Sequence, residues 1–136
     1  SNNRVMYLGE TDQVKIHNLI VAHGTRAGVN PAKQHFEIVG GQINYSAGHV
    51  HRRSFYQRQG YYGGFVSATS GCLCELQPHY LSYRQDKTAW EHGTNICEIK
   101  ANSDRAGALF ENLKFEENES GVYSVRHHNL TFTAKN

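Results

Sequence analysis

Glycines interrupt the apolar segments of this chain at short intervals, and this spacing favours short strands joined by tight turns. The apolar run at 36–39 ends at Gly40 and Gly41, and the segment 60–67 carries a glycine turn that leads into a second apolar run. Glycine adopts backbone conformations that cost other residues energy, so glycines beside apolar runs indicate turns. We therefore predict a strand at 36–39, a return strand at 42–45 and a further strand towards residue 67.

The C-terminal third carries clearer local patterns. The segment 94–100 has the composition of a strand, and Ser103 has the properties of a helix N-cap. Apolar residues follow Ser103 at helical spacing, which predicts a helix; they are Ala106, Leu109, Phe110 and Leu113. The segments 122–125 and 130–133 predict two strands of a hairpin that turns at 127–129.

Length and composition limit the architecture further. A chain of 136 residues is long enough for one domain with its own core, and its eight tyrosines and six phenylalanines argue against disorder. The segment 14–20 fits a strand or a short helix, and no apolar run approaches the length of a membrane span. We predict an α+β fold, a compact single domain over residues 1–136 with antiparallel β-sheets and a few helices.

Two histidines, His35 and His51, stand sixteen residues apart on either side of this glycine-rich stretch. Two imidazoles can share the proton transfers of one reaction, because one can accept a proton while the other donates one near neutral pH. If both rings face one cleft, they suffice for metal-free cleavage of RNA. Taken alone, each histidine also fits a structural or surface role.

The charge and the cysteine content limit which classes of partner and cofactor we expect. The net charge is +2, so a phosphate site would be a local patch. The densest cationic patch consists of Arg52, Arg53 and Arg58 with His49 and His51. Three cysteines are an odd number, which argues against a closed disulfide framework. A metal site through Cys72, Cys74, His79 and Cys97 matches no standard zinc spacing, so we predict buried, reduced cysteines, no metal and no cofactor.

Several short motifs, in this order, resemble the catalytic domain of the EndoU ribonuclease family over about residues 35–134. The first is His35 followed by Gly40 and Gly41, and the second is the segment 47–51, Ala-Gly-His-Val-His. A lysine before a serine-started helix follows at 100–103, and the Leu-Thr-Phe-Thr strand at 130–133 resembles the family's last strand, with threonine in place of its tyrosine. The resemblance implies an EndoU-like fold.

This resemblance also implies an activity and roles for residues. It implies a metal-independent endoribonuclease that cleaves single-stranded RNA, with tRNA as a candidate, through attack of the 2′-hydroxyl to leave a 2′,3′-cyclic phosphate. His35, His51 and Lys100 would be catalytic. The substrate-binding residues would be Thr131, Ser103 and Phe132. His49 is an alternative to His51, and Lys87 or His92 to Lys100.

The family also suggests a biological context for such a domain. By analogy with its bacterial members, we expect a toxin domain that is delivered from a cell surface and acts in the cytoplasm of a target cell. Its partners would be RNA and an immunity protein that blocks the cleft, with no membrane association. These expectations rest on the family resemblance alone.

Two other function classes fit parts of the chain. His35 with its following residues also resembles the histidine motif of NlpC/P60-like and H-rev107-like thiol enzymes, with Asn95 and Cys97 as the remaining elements. The third class is a non-enzymatic β-rich module that binds a glycan or a protein. That class would use exposed aromatic residues, namely Tyr56, Tyr61, Tyr62, Tyr80 and Tyr83. The segment 107–123 looks like coils of a parallel β-helix, which suits such a module.

Overall fold

The computed structural model describes residues 9, 11–60, 63–81, 83, 89–99 and 108–135. In chain order the elements are β1 (Gln13–Ile16), β2 (Leu19–Ala22), α1 (Pro31–Ile38), β3 (Asn44–Ala47), β4 (Ser54–Gly60), β5 (Gly63–Thr69), a 3-10 turn (His79–Leu81), β6 (Gly93–Ile99), β7 (Ala108–Lys114), β8 (Glu116–Glu117), β9 (Val122–His127) and β10 (Leu130–Lys135). The fold is therefore α+β and rich in strands. No helix in the described part is long and apolar enough to cross a membrane.

The largest sheet has five strands in the order β1-β2-β3-β5-β4. Its three central strands, β2, β3 and β5, run parallel, and the outer strands are antiparallel to their neighbours. The central strands stack in register, so that Ile20, Tyr45 and Ser67 lie side by side. The predicted antiparallel pairing holds for the outer strands but not for the three central ones, because parallel partners are joined through long crossovers that local turn patterns do not reveal.

Helix α1 forms the crossover between β2 and β3 and covers one face of this sheet. It packs against β3, β4 and β5. Phe36 on its inner face is almost completely buried, and its ring meets that of Tyr56 edge-to-face at 5.1 Å. The buried apolar residues in this layer form the core; they are Leu19, Ala32, Phe36, Tyr45, Ala47, Val50, Phe65, Val66, Ala68 and Cys72.

Helix α1 replaces the strand predicted at 36–39, and its two ends explain why. At the N-terminus, the Asn30 side chain accepts a hydrogen bond from the backbone N–H of Lys33, and Pro31 occupies the first helical position. At the C-terminus, Gly40 and Gly41 have positive φ angles, and their N–H groups donate to carbonyls of the last turn. This is a Schellman motif, so the glycines end a helix rather than a strand. The segment 42–45 leads into β3 and is not a return strand.

The second half of the chain is built from antiparallel pairs. Strands β6 and β7 pair along their full length, and β8, β9 and β10 form a three-stranded sheet. The predicted hairpin at 122–133 and the strand at 94–100 are confirmed as β9–β10 and β6. The helix predicted after Ser103 is wrong from residue 108 onwards, where the chain forms β7. Ser103 itself lies outside the described residues.

An asparagine network joins the β6–β7 pair to the five-stranded sheet. The side-chain amide of Asn112 donates to the carbonyl of Thr69 at 2.9 Å and to the side chain of Asn95 at 2.6 Å. Asn95 in turn donates to Ser46 at 3.1 Å, and Arg53 donates to the Asn112 side chain at 2.7 Å. These bonds connect β7 and β6 to β5 and β3, so a polar network joins the two halves of the described chain.

Candidate functional site

The three parallel strands end side by side, and the residues that follow them meet at one edge of the sheet. His23 follows β2, and His49 and His51 follow β3. Cys72 and Cys74 follow β5 by a few residues. We call His23, His49 and His51 the histidine cluster. Because parallel strands place their carboxyl ends together, segments that are far apart in sequence come together here.

Ring contacts join two members of the histidine cluster to each other and the third member to a tryptophan. The rings of His23 and His49 meet edge-to-face with centroids 4.9 Å apart, and the ring of His51 meets Trp90 at 4.2 Å. His49 and His51 have φ angles of 64° and 55°, in the left-handed region. That conformation costs a residue with a side chain about 1–2 kcal/mol. Backbone strain of this kind clusters at functional sites.

Electrostatics lower the proton affinity of His51. Burial lowers the pKa of His51, and the neighbouring imidazoles of His49 and His23 lower it further when they are charged. The ring is therefore neutral near pH 7. A neutral imidazole can act as a base or as a metal ligand.

The two cysteines after β5 lie against His51. The Sγ atom of Cys74 is 3.8 Å from Nδ1 of His51, and the ligand atoms of His51, Cys72 and Cys74 all lie within 4.8 Å of one another. Burial raises the pKa of the Cys72 thiol. Of the four residues considered for a metal in the sequence, the structure groups Cys72 and Cys74, and it adds His51.

His35 occupies a different place from the one that the sequence suggests. It lies on α1, is 2% exposed, and its Nδ1 donates to the carbonyl of Pro31 at 2.8 Å. Its Nε2 accepts hydrogen bonds from the backbone N–H groups of Thr25 and Arg26, at 3.1 and 3.3 Å. Both ring nitrogens are thus engaged, and neither is available to a ribose hydroxyl in this conformation. His35 supports the loop after β2, which carries His23.

Burial is also the main influence on the titration of His35. It lowers the pKa of the imidazole, against a smaller opposing effect of the hydrogen bond to Pro31. Arg26 and His49 lower it further by repulsion. The ring stacks on Tyr45 with centroids 5.0 Å apart.

The other sequence-derived site residues are dispersed. Lys100, Lys87 and Ser103 lie outside the described residues. Thr131 and Phe132 are exposed on β10, where they pair with β9. Cys97, the nucleophile of the thiol-enzyme alternative, is half-buried in β6, and burial raises its pKa. A raised pKa disfavours the thiolate that such an enzyme needs.

A cleft of about 590 Å³ adjoins the cysteines. We call it the acidic cleft, because two carboxylates line it without any lysine or arginine among its described lining residues. These residues are Leu73, Cys74, Glu75, Leu76, His92, Phe115, Glu117, Tyr123 and Ala134. The cleft therefore lies between the segment after β5 and the sheet β8–β9–β10.

Hydrogen bonds and ring contacts connect the groups on one wall of the acidic cleft. Nε2 of His92 lies 2.8 Å from the carbonyl oxygen of Cys74, and the His92 ring meets Tyr123 edge-to-face at 5.4 Å. The Tyr123 hydroxyl hydrogen-bonds to the Glu117 carboxylate, which raises the pKa of Tyr123. Sequence reasoning missed Glu75, Glu117 and Tyr123, since no motif groups them.

Comparison with protein-family models, with curated proteins and with solved structures finds no match for this chain.

Proposed function

We propose that this chain is a carbohydrate-binding, β-rich module and that the acidic cleft is its binding site. One observation carries the proposal, the cleft of about 590 Å³ in which aromatic rings stand beside carboxylates. That volume is within the range of small-ligand pockets, about 300–1,000 Å³. The proposal follows the third function class that the sequence allows.

The lining of the cleft favours a neutral ligand with many hydroxyl groups. The side-chain oxygens of Glu75 and Glu117 are acceptors that suit hydroxyl donors. Phe115 and Tyr123 offer ring surfaces for apolar C–H groups. The same carboxylates repel phosphates, and the described lining holds no lysine or arginine to offset them. RNA is therefore a poor ligand for this cleft.

Binding to neutral oligosaccharides tests the proposal. A glycan array that includes neutral, anionic and cationic oligosaccharides, followed by calorimetry, should detect a neutral ligand. Glu117→Gln should weaken binding about tenfold, because a hydrogen bond to a charged acceptor contributes about 1.5–3 kcal/mol. Glu75→Gln should act in the same direction.

Glu116→Gln is the matched control. Glu116 neighbours Glu117 on β8, lies outside the acidic cleft and pairs with Lys114 at 3.6 Å. Its replacement should leave the affinity unchanged. Failure of every neutral glycan to bind, or equal losses in Glu116→Gln and Glu117→Gln, would overturn the proposal.

Metal-free RNA cleavage at the histidine cluster is a second candidate, favoured by the ring contact between His23 and His49 at 4.9 Å. Here these two imidazoles, not His35, would divide proton removal from the 2′-hydroxyl and proton donation to the leaving oxygen. The activity is the one that the EndoU resemblance implies, with its RNA substrate and an inhibitory partner protein.

The two candidates differ in a simple assay. Purified chain is incubated with a uridine-containing oligonucleotide and with total RNA in EDTA, and product ends are read by mass spectrometry. The nuclease candidate predicts 2′,3′-cyclic phosphates that His23→Ala and His49→Ala abolish. His17→Ala is the control, because His17 also has a positive φ, 51°, but lies in the β1–β2 turn. Intact RNA with folded protein excludes this candidate.

A further inference from the structure

We propose that His51, Cys72 and Cys74 bind a zinc ion through one ring nitrogen and two sulfurs. The three ligand atoms lie within 4.8 Å of one another, and Sγ of Cys74 is 3.8 Å from Nδ1 of His51. Tetrahedral zinc places a sulfur and a nitrogen ligand about 3.6 Å apart and two sulfurs about 3.8 Å apart. Small side-chain movements therefore complete the coordination. This inference does not depend on the carbohydrate proposal.

The donor set selects the metal. Two thiolates and an imidazole are soft or borderline ligands, which favour zinc over magnesium and calcium. Three protein ligands leave a fourth tetrahedral position. Cys74 also lines the acidic cleft, so the proposed zinc site adjoins that cleft.

Backbone hydrogen bonds hold the loops that carry the ligands. The N–H of Cys72 donates to the carbonyl of Glu91 at 2.9 Å, and the N–H of Glu91 donates to the carbonyl of His51 at 2.9 Å. The N–H of Gly93 donates to the carbonyl of Cys72 at 3.3 Å. The segment around Glu91 thus ties the loop after β3 to the loop after β5, and two ligands are positioned before metal arrives.

Neighbouring side chains orient the ligands further. The Trp90 ring packs against His51 at 4.2 Å. His92 hydrogen-bonds to the carbonyl of Cys74 at 2.8 Å. Such supporting contacts are typical of metal sites, where they fix the orientation of the coordinating groups.

A second group of possible ligands, Glu111, His127 and His128, serves as an internal comparison. Its carboxylate already accepts a hydrogen bond from His127 at 2.5 Å, and it lacks a thiolate. Sulfur ligation gives cobalt a charge-transfer absorption in the near ultraviolet, which ligation by imidazole and carboxylate does not. Cobalt spectroscopy therefore separates the two groups.

Metal titration of the reduced full chain tests the zinc site. We expect one zinc per chain by elemental analysis, a thiolate-to-cobalt band on cobalt addition, and loss of that band when zinc displaces cobalt. His51→Asn, Cys72→Ser and Cys74→Ser should each weaken zinc binding at least tenfold. Because Cys72 is buried and its replacement can disturb folding, the exposed Cys74 provides the decisive variant.

Two variants are matched controls. Cys97→Ser removes the third cysteine, which belongs to neither ligand group, and His127→Gln disables the comparison group. Both should keep the cobalt band and the zinc affinity. The proposal is wrong if the wild-type chain binds no zinc at micromolar concentration, if Cys74→Ser retains the band, or if either control loses it.

Discussion

At the scale of single residues, His35 is buried, whereas in the histidine cluster His23 and His49 are exposed and His51 is half-buried. His35 is enclosed by α1, Tyr45 and the loop after β2, and every ring nitrogen has a backbone partner. His49 and His51 have strained backbones and lie at the sheet edge. The sequence singled out His35, His49 and His51 but not His23, and it could not predict their surroundings, because an imidazole's role depends on which atoms surround it.

Replacement of His35 should therefore damage the fold. His35→Ala removes a buried ring and leaves the Thr25 and Arg26 N–H groups without their acceptor. We expect a loss of about 2–4 kcal/mol in the free energy of unfolding, measured with urea. An unchanged midpoint would contradict the structural role assigned to His35. His79→Ala, in the exposed 3-10 turn, is the control.

The pH dependence of stability tests the burial of His35 independently. Its pKa is lower in the folded chain than in the unfolded chain, so the unfolded state binds the proton first as pH falls. The stability contribution is complete above about pH 6.5 and is lost as pH falls towards the folded pKa, by at most about 1.4 kcal/mol per pH unit. In urea unfolding at pH 5.0 to 7.5, His35→Gln should reduce the slope of the free energy of unfolding against pH, relative to His79→Ala. An equal slope in both variants would contradict the assigned effect of burying His35.

At the scale of elements, helix caps and strand pairing decided the structure of a segment more than the spacing of its apolar residues did. Helix α1 forms at 31–38 because Asn30 caps it and a Schellman motif closes it. The segment 108–114 has helical spacing, yet it forms β7, since it pairs along its whole length with β6. Spacing of apolar residues is compatible with both structures in short segments.

The cap of α1 offers a direct test at this scale. Asn30→Ala removes the acceptor for the Lys33 N–H, and we expect a loss of about 1 kcal/mol in the free energy of unfolding. Asn30→Asp keeps an acceptor and should retain most of the stability. Equal destabilisation by both replacements would show that the cap does not hold the helix.

The two hairpin turns reveal a short repeat that the sequence analysis overlooked. His17-Asn18-Leu19 and His128-Asn129-Leu130 occupy the same turn positions, and the histidine has a φ of 51° in one and 53° in the other. The repeat is visible in the sequence. That it marks a hairpin turn is not, because a three-residue match identifies a turn only when the flanking strands are known to pair.

At the scale of the whole molecule, polar contacts join the two halves of the described chain. Asn112 reaches the carbonyl of Thr69 on β5, the side chain of Asn95 and the guanidinium of Arg53. Gly71 lets the segment 91–93 approach closely, since a Cβ there would lie 2.7 Å from the N atom of Gly93. These contacts position the cysteines beside His51 and one wall of the acidic cleft.

Loss of the Asn112 contacts should weaken the whole fold. Asn112→Ala removes the amide that donates to the Thr69 carbonyl and to Asn95, and it removes the oxygen that accepts from Nε of Arg53. We expect a loss of about 1–3 kcal/mol in the free energy of unfolding, measured with urea. Asn129→Ala, in the β9–β10 turn, is the comparison variant. A similar small effect of both replacements would show that the asparagine network does not couple the halves.

Gly71 should tolerate no side chain. A Cβ there would overlap the carbonyl oxygen of Glu91, so Gly71→Ala must move the backbone that ties Cys72 to the segment 91–93. We expect a loss of about 1–3 kcal/mol of stability and weaker cobalt binding. Gly40→Ala, where a Cβ would meet no neighbour, should destabilise through its positive φ but leave cobalt binding intact. Equal cobalt affinity in both variants would contradict this coupling.

The sequence by itself determined the strand-rich character and the C-terminal hairpin, because these follow from composition and local pattern. Only the tertiary structure decided that β2, β3 and β5 run parallel, that His35 is buried, and that Cys74 lies beside His51, 23 positions away. Such contacts depend on how crossovers bring strand ends together. The spacing of two residues along the chain therefore does not predict the distance between them in the fold.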